Sequence, residues 1–288
     1  MRVLVAGNPS AGSFDEDVRS EIAGAFAAIG PLEWFTPSSE TTASDLVAAA
    51  AGAEVVVVAG GDGSLNYAVN ALEDRLGELT FALVPTGTGN DYARTLGLPS
   101  DPLDAARAAA AGTLRSFDVG RATGGGVSRL FVNACMGGFP VAVNEAIDED
   151  SKRVLGPLAF WVGGAKAATG LERSAVTING LEAPDCVAAG VGNGRTCGGG
   201  IEVWPHADPS DGVLNACALG APNAAAALQL LLKVRGGKHE GLDGVVTGAA
   251  PRLEIDADPP IEFNVDGDLV GLRSPATFEV AGSFRLLV

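Results

Sequence analysis

The sequence predicts an α/β domain built on a parallel sheet, followed by a domain that is mostly β. Apolar runs alternate with helical stretches over residues 1–117, as is typical of a parallel sheet covered on both faces. After Phe117 the pattern changes to short strands joined by turn pairs such as Asn179-Gly180. We therefore expect a doubly wound domain over 1–117 and a β-rich sandwich over 118–275. We expect the last strand, 276–288, to pack back on the first domain.

The elements of the first domain follow from apolar runs and from helix-capping residues. Thr42 or Ser44 suits the N-cap of the second helix, and Pro102 is tolerated in the first turn of the last one. A further helix is expected after each of the strands 54–59 and 81–84. The predicted strands are 2–7, 33–36, 54–59 and 81–84, and the bounded helices are 15–29, 42–51 and 102–111.

The second domain is predicted from short runs rich in apolar residues and bounded by turn residues. Two stretches have helical character instead: 153–170, which is rich in large apolar residues, and 224–234, which is rich in alanine and leucine. The predicted strands are 119–121, 129–134, 175–178, 186–191, 213–219, 252–256, 261–265, 276–280 and 284–288.

Bulk composition limits the partners of the chain. The formal net charge is −16 and only four of the 288 residues are lysines, so neither a nucleic-acid partner nor strong attachment to an anionic membrane is expected. The four cysteines lack metal-type spacing, so we expect free thiols in a reducing compartment. The chain begins directly with a strand, and no apolar run reaches the ~20 residues of a membrane-spanning helix. We expect a cytoplasmic protein.

Two glycine-rich loops carry the strongest functional signal. The first glycine loop, residues 60–64 (GGDGS), follows the apolar run EVVVVA, and the second glycine loop, residues 85–91 (PTGTGND), follows FALV. Glycine lets backbone N–H groups approach a phosphate, and a helix N-terminus adds a favourable dipole. Parallel strands bring such loops together at their carboxyl ends. The pattern predicts a nucleotide polyphosphate site.

Asp62 is the carboxylate inside this predicted site. The first glycine loop lacks the lysine of a P-loop, and by itself GGDG is also compatible with a plain tight turn. A carboxylate among phosphate-facing amides repels a nucleotide unless a cation or a proton lies between them. This tension favours a catalytic magnesium ion held by Asp62 and the phosphate oxygens.

The ordered series of motifs resembles the diacylglycerol kinase catalytic-domain family, in its soluble bacterial YegS-like and DgkB-like branch. The resemblance covers essentially the whole chain, and the series is far more specific than any one motif. Besides the two glycine loops, it rests on NPSAG at 8–12, FVNA at 131–134, GGF at 137–139, GNGR at 192–195, GGG at 198–200, PHA at 205–207, DGVL at 211–214 and DGD at 266–268.

The resemblance implies a two-domain kinase of the NAD-kinase-like fold, with ATP in the cleft between the domains. It implies transfer of the γ-phosphoryl group to a lipid hydroxyl, that of diacylglycerol or a related glycerolipid, with Mg²⁺ as cofactor. A structural magnesium site would fall on Asp211 and on the backbone carbonyls of Asp208 and Val213. The residues expected to bind the nucleotide are Asn8, Thr36, Gly60, Gly61, Asp62, Gly63, Ser64, Asn66, Tyr67, Thr86, Gly87, Thr88, Gly89 and Asn90.

The general base implied by the resemblance falls on Asp268, where the family usually has glutamate. Asp266 could serve instead, and taken alone Asp266-Gly267 is equally compatible with a hairpin turn. The aspartate is shorter by one methylene, so its reach falls by about an ångström. We rank Asp268 ahead of Asp266.

Other departures from the family keep two further interpretations open. Ser64 stands where the family generally has threonine, and Tyr67 where it usually has glutamate. The alternatives are an NAD kinase-like enzyme and a nucleotide-binding regulatory protein with an eroded site. For the lipid kinase, the expected partner is a lipid at a membrane surface, contacted weakly and transiently. Family members often pair through the β-rich domain, so a homodimer is an open expectation.

Overall fold

The computed structural model describes residues 1–7, 14–38, 41–138 and 173–288, with two compact units. The first unit comprises Met1–Val119 with Gly282–Val288, and the second comprises Gly120–Ala281. The motif at 8–12 and the predicted helix over 153–170 lie outside the described residues.

The first unit contains a fully parallel sheet. Its order is β2-β1-β3-β4, and residues 285–287 of the last strand pair with β4. The strands are β1 Val3–Gly7, β2 Leu32–Phe35, β3 Val55–Gly60 and β4 Thr80–Pro85. The helices are α1 Glu16–Phe26, α2 Ala43–Ala49, α3 Asp62–Ala71, α4 Asp91–Leu96 and α5 Pro102–Ala111, with 3₁₀ turns at Ala50–Gly52 and Glu73–Arg75.

Side-chain caps begin the helices of this unit where the sequence supplies short polar residues. The Asp15 carboxylate accepts from Val18 N–H at the start of α1, and Asp101 caps α5 just before Pro102. All residues of β3 and β4 are buried, which is why these strands appear as uninterrupted apolar runs in the sequence.

The second unit is antiparallel. Its main path is β14-β13-β7-β9-β8-β12-β15, β10 and β11 extend from β9, and β5 pairs with β6. The one described helix of this unit is α6 Ala224–Val234. The strands are β5 Leu114–Gly124, β6 Val127–Phe131, β7 Ala134–Gly138, β8 Ser174–Ile178, β9 Leu181–Gly192, β10 Leu214–Gly220, β11 Val245–Ala250, β12 Arg252–Asp258, β13 Glu262–Val265, β14 Asp268–Arg273 and β15 Ala276–Leu287. Residues 114–119 of β5 and 282–287 of β15 belong to the first unit.

The structure corrects several strand predictions. The strand predicted over 129–134 is interrupted at Val132 and Asn133, whose N–H groups donate to the Asp266 carboxylate and not to a neighbouring strand. The predicted strands 276–280 and 284–288 are one strand, β15, without a turn between them. β11 and β14 were not predicted, because a glycine interrupts the apolar pattern in each (Gly248 and Gly271).

Two hairpin turns follow the predicted turn pairs. Ile178 pairs with Leu181, and Val265 pairs with Asp268, so each loop contains two residues. The central residues have positive φ in both: 47° and 84° in Asn179-Gly180, and 48° and 95° in Asp266-Gly267. These values are those of type I′ turns, which match the twist of antiparallel strands.

Candidate functional site

The two glycine loops lie side by side at the carboxyl ends of β3 and β4. These strands are parallel neighbours in a register that pairs Gly60 with Pro85. The Thr86 N–H continues the ladder by donating to the Gly60 carbonyl oxygen at 3.1 Å. Each loop leads directly into a helix, α3 and α4 respectively. The pair therefore brings two helix N-termini to one edge of the sheet.

The glycines of these loops have different steric roles. A Cβ atom on Gly87 would lie 2.7 Å from the Gly61 Cα, so the two loops touch through bare backbone. A Cβ on Gly60 would clash with the Ser64 Oγ. A Cβ on Gly63, in contrast, meets no atom within 4 Å. Gly60, Gly61 and Gly87 thus permit the close packing of the two loops. Gly63 leaves open space in the first turn of α3.

Asp62 joins the first glycine loop to the helix that follows the second. Its Oδ2 accepts from the Asp91 N–H and its Oδ1 from the Tyr92 N–H, both at 2.9 Å. The carboxylate therefore occupies the positive end of α4. Burial raises the pKa of Asp62, and the hydrogen bonds from Tyr92 and Asp91 oppose part of that rise. The structure gives Asp62 a structural function that is independent of any metal.

The second glycine loop is closed on itself by Asn90. This residue adopts the left-handed conformation (φ 50°) at the N-cap of α4. Its Oδ1 accepts from the Gly87 N–H at 3.1 Å, and its Nδ2 donates to the Gly87 carbonyl at 2.6 Å. The loop backbone is therefore fixed by a side chain that the sequence supplies within it.

An ion pair that the motif alone did not indicate supports the same loop. The Asp91 carboxylate is buried and pairs with the Arg94 Nη1 at 2.9 Å. The same Nη1 donates to the Gly89 carbonyl at 3.1 Å. Their spacing of three residues on a helix was the available sequence signal.

The other predicted nucleotide-binding residues fall into two groups. Thr36, which directly follows β2, and Thr88, in the second glycine loop, are exposed. Asn66 and Thr86 are buried, and Asn66 accepts from the Asn70 side-chain amide through both its backbone and its side-chain oxygen. Burial raises the pKa of the half-buried Tyr67, and the charge of Asp45 adds to the rise. Asn8 lies outside the described residues.

The candidate base belongs to the second unit, at the β13–β14 hairpin. Asp268 is the first residue of β14 and is exposed, whereas Asp266 is 7% exposed. Partial desolvation raises the pKa of Asp268, and the Arg129 guanidinium opposes the rise. The Asp266 carboxylate accepts three backbone hydrogen bonds, from Val132, Asn133 and Ala134.

The predicted structural metal site is a tight turn in the second unit. The Asp208 Oδ1 accepts from the Ser210 N–H at 3.0 Å, and the Asp211 Oδ1 accepts from the Val213 N–H at 2.9 Å. Asp208 and Asp211 are both exposed. Over 1–7, 14–38, 41–138 and 173–288, no group of three or more His, Cys, Asp or Glu side chains could hold a metal ion. A metal in this turn would depend on one carboxylate and on carbonyl oxygens, which is a donor set that suits magnesium.

Family models match both parts of the chain. Residues 2–122 match the diacylglycerol kinase catalytic domain, and residues 133–287 match the YegS C-terminal NAD kinase beta sandwich-like domain. These matches confirm the predicted fold class, an α/β domain followed by a β sandwich.

Curated relatives are similar over most of their length. A "probable lipid kinase YegS-like" from Pseudomonas aeruginosa (strain PAO1) is 36% identical over 232 residues, which are 77% of this chain and 72% of the relative. A protein of the same name from Stenotrophomonas maltophilia (strain K279a) is 31% identical over 243 residues, which are 82% of this chain and 79% of the relative.

Solved structures share the fold. The crystal structure of a diacylglycerol kinase from Bacillus anthracis str. Sterne superposes with a TM-score of 0.78 at 24% identity, covering 99% of this chain and 96% of the other. Within the described residues, no helix is long and apolar enough to cross a membrane.

Proposed function

The chain belongs to the diacylglycerol kinase catalytic-domain family and is a lipid kinase, and from this premise we propose an ATP- and Mg²⁺-dependent transfer of the γ-phosphoryl group to a lipid hydroxyl. The acceptor that we propose is diacylglycerol or a related glycerolipid. The names of the relatives favour this reading over the NAD kinase-like alternative. The kinase homology likewise disfavours the regulatory protein with an eroded site.

The observation that carries the nucleotide part of the proposal is the joined pair of glycine loops. Two helix N-termini lie at one sheet edge, and the Asp62 carboxylate bonds across them to the Asp91 and Tyr92 amides. Open space at Gly63 leaves the first turn of α3 accessible to a phosphate. We propose that the triphosphate lies against this turn and that the exposed Thr36 and Thr88 contact the nucleotide.

Asp268 is the residue that we propose as general base. A base must be ionised and near the hydroxyl proton, and an exposed carboxylate with a raised pKa is a stronger proton acceptor than an ordinary aspartate. In this proposal Asp268 takes the proton of the lipid hydroxyl while the hydroxyl oxygen forms its bond to the γ-phosphorus. The bond from that phosphorus to the β–γ bridging oxygen breaks, and ADP leaves.

Magnesium is proposed at two places on the basis of oxygen donors. Asp211 and the carbonyls of Asp208 and Val213 would hold a structural ion, since Asp211 uses its Oδ1 for the Val213 N–H and keeps Oδ2 for a metal. Asp62 would contact the nucleotide-bound ion through lone pairs not used by the α4 amides. When bound there, magnesium would neutralise charge on the phosphate oxygens.

Contact with the lipid surface is proposed at the C-terminal end of α6. Leu232 is 68% exposed, and it is followed by the exposed cations Lys233, Arg235 and Lys238. These include two of the four lysines in a chain of net charge −16. An exposed leucine beside cations suits a weak contact with anionic lipid, and the acidity of the rest of the chain keeps that contact transient.

The proposal is tested by transfer of ³²P from [γ-³²P]ATP to diacylglycerol in mixed micelles, with the labelled product identified by chromatography. We expect phosphatidic acid to form in the presence of Mg²⁺ and its formation to stop with EDTA. Asp268→Asn should lower kcat at least 100-fold, and Asp256→Asn, an exposed aspartate on β12, should not. Label in NADP⁺ when NAD⁺ is the acceptor, or ATP binding without transfer to any lipid, would refute the proposal.

A further inference from the structure

Three distant segments meet at one buried polar cluster in the second unit, which we call the Asp266 node (Asp266, Asn133 and Asn193). All three side chains are buried. The cluster joins the hairpin turn 266–267, the corner 132–134 between β6 and β7, and the segment 193–196 that follows β9. Each segment carries a motif for which the sequence alone suggested no partner.

The Asp266 carboxylate is held by three successive backbone amides. Its Oδ2 accepts from the Val132 N–H at 2.8 Å, and its Oδ1 accepts from the Asn133 N–H at 3.0 Å and the Ala134 N–H at 2.8 Å. The Asp266 N–H donates to the Ala134 carbonyl at 2.9 Å. Successive N–H groups that converge on one point form an anion-binding concavity, and here a carboxylate of the same chain fills it.

The two asparagines extend this attachment to the third segment. The Asn133 carbonyl accepts from the Asn193 and Gly194 N–H groups, both at 2.8 Å, and the Asn133 Nδ2 donates to the Thr196 carbonyl at 3.0 Å. In return, the Asn193 Nδ2 donates to the Val132 carbonyl at 2.7 Å. The corner 132–134 is thus bonded both to the hairpin turn 266–267 and to the segment 193–196.

The hairpin turn connects Asp266 to Asp268 through only one intervening residue. The type I′ turn has only two residues, and Asp268 pairs directly with Val265 across it. A fixed Asp266 carboxylate therefore fixes the backbone from which the Asp268 side chain projects. Both Asp266 oxygens face the amides of the corner, so this carboxylate is committed to the fold, whereas Asp268 is exposed.

We infer that Asp266 is a positioning residue that locks the β13–β14 hairpin on the corner 132–134 and so sets the place of the Asp268 carboxylate. This inference rests on the proposed function, in which Asp268 is the base. It also separates the two aspartates that the DGD motif left as competing candidates for that role.

The test is a double-mutant cycle in the ³²P transfer assay. We expect Asp266→Asn to lower kcat by roughly 10- to 100-fold, with the KM for ATP within twofold of wild type, because a displacement of about 1 Å can cost that much. Asparagine keeps the shape and one acceptor oxygen but turns a donor toward at least one of the three amides, so we expect a folded variant whose free energy of unfolding is lower than that of wild type. In the Asp268→Asn background the same substitution should change kcat less than twofold, because a residue that acts through Asp268 has no effect once the base is gone.

Asn179→Ala is the matched control. Asn179 occupies the same position in the other type I′ turn, and its Oδ1 accepts from the Glu254 N–H at 2.7 Å, so the variant also loses a bond from a turn to a neighbouring strand. We expect its kcat to equal that of wild type. An equal loss of kcat in this control would mean that any weakened hairpin impairs the enzyme, and would overturn the inference.

The acid limb of the kcat–pH profile provides a second readout. It should persist in Asp266→Asn, since Asp268 still titrates, and its loss there would identify Asp266 as the base. Wild-type kcat in Asp266→Asn would overturn the inference and leave the proposed function intact. Absence of lipid phosphorylation by the wild-type enzyme would refute the proposed function, and the inference with it.

Discussion

Gly63→Ala separates the stability of the first glycine loop from its function. Gly63 is the second residue of α3, and a Cβ built on it meets no atom within 4 Å. Alanine is preferred over glycine in helices by about 0.5–1 kcal/mol, so the substitution should not destabilise the unit. We expect a melting temperature equal to that of wild type or higher by about 1–3 °C.

The same methyl group should weaken ATP binding. It would stand in the open space that we propose for the triphosphate, and it would hold the phosphate oxygens away from the α3 amides. We expect the KM for ATP to rise at least tenfold, which corresponds to about 1.4 kcal/mol. The assay is ³²P transfer at varied ATP concentration, with the KM for lipid measured in parallel and expected to be unchanged.

Gly24→Ala is the control for this prediction. Gly24 lies in α1, and a Cβ there also meets no atom within 4 Å, so its helix preference changes in the same way. It should raise stability without any change in the KM for ATP. An unchanged KM in Gly63→Ala would show that the triphosphate does not approach this turn, and the reasoning from the open space would be wrong.

Three further predictions follow from the contacts of single carboxylates. Asp62→Asn keeps an acceptor for one of the two α4 amides and turns a donor toward the second. The free energy of unfolding, measured by denaturant titration, should therefore fall by about 1–3 kcal/mol, and phosphoryl transfer should be abolished. The pKa of Asp268 is raised by desolvation, so kcat should fall as the pH drops through a value above that of ordinary aspartate, and a limb at the ordinary value would contradict this. Asp211→Asn should remove the stabilisation that Mg²⁺ confers in thermal melts; an unchanged Mg²⁺-dependent shift would refute the proposed structural metal site.

Local chemistry made much of this protein predictable from its sequence. The buried parallel strands β3 and β4 appear as unbroken apolar runs because both faces of their sheet are covered. The α6 helix was predicted with its observed bounds, Ala224–Val234. The turn pairs Asn179-Gly180 and Asp266-Gly267 were evident because only a few residue types accept positive φ at both central positions. In each case the information lies within a few neighbouring residues.

Long-range partners were not predictable in the same way. The sequence predicted two glycine loops at one sheet edge, but not that Asp62 would bond to amides 29 and 30 residues away. The interruption of the strand predicted over 129–134 had the same origin, since its amides bond to a carboxylate 134 residues from Val132.

By itself, the sequence determined the fold class, the family and the residue types of the candidate site, because strand burial, turn conformation and motif order are local properties of the chain. Only the tertiary structure decided what the aspartates do: Asp62 caps a helix, Asp266 fills a concavity of backbone amides, and Asp268 remains exposed. The physical reason is that the function of a carboxylate depends on which donors surround it, and here the donors come from segments that folding alone brings together.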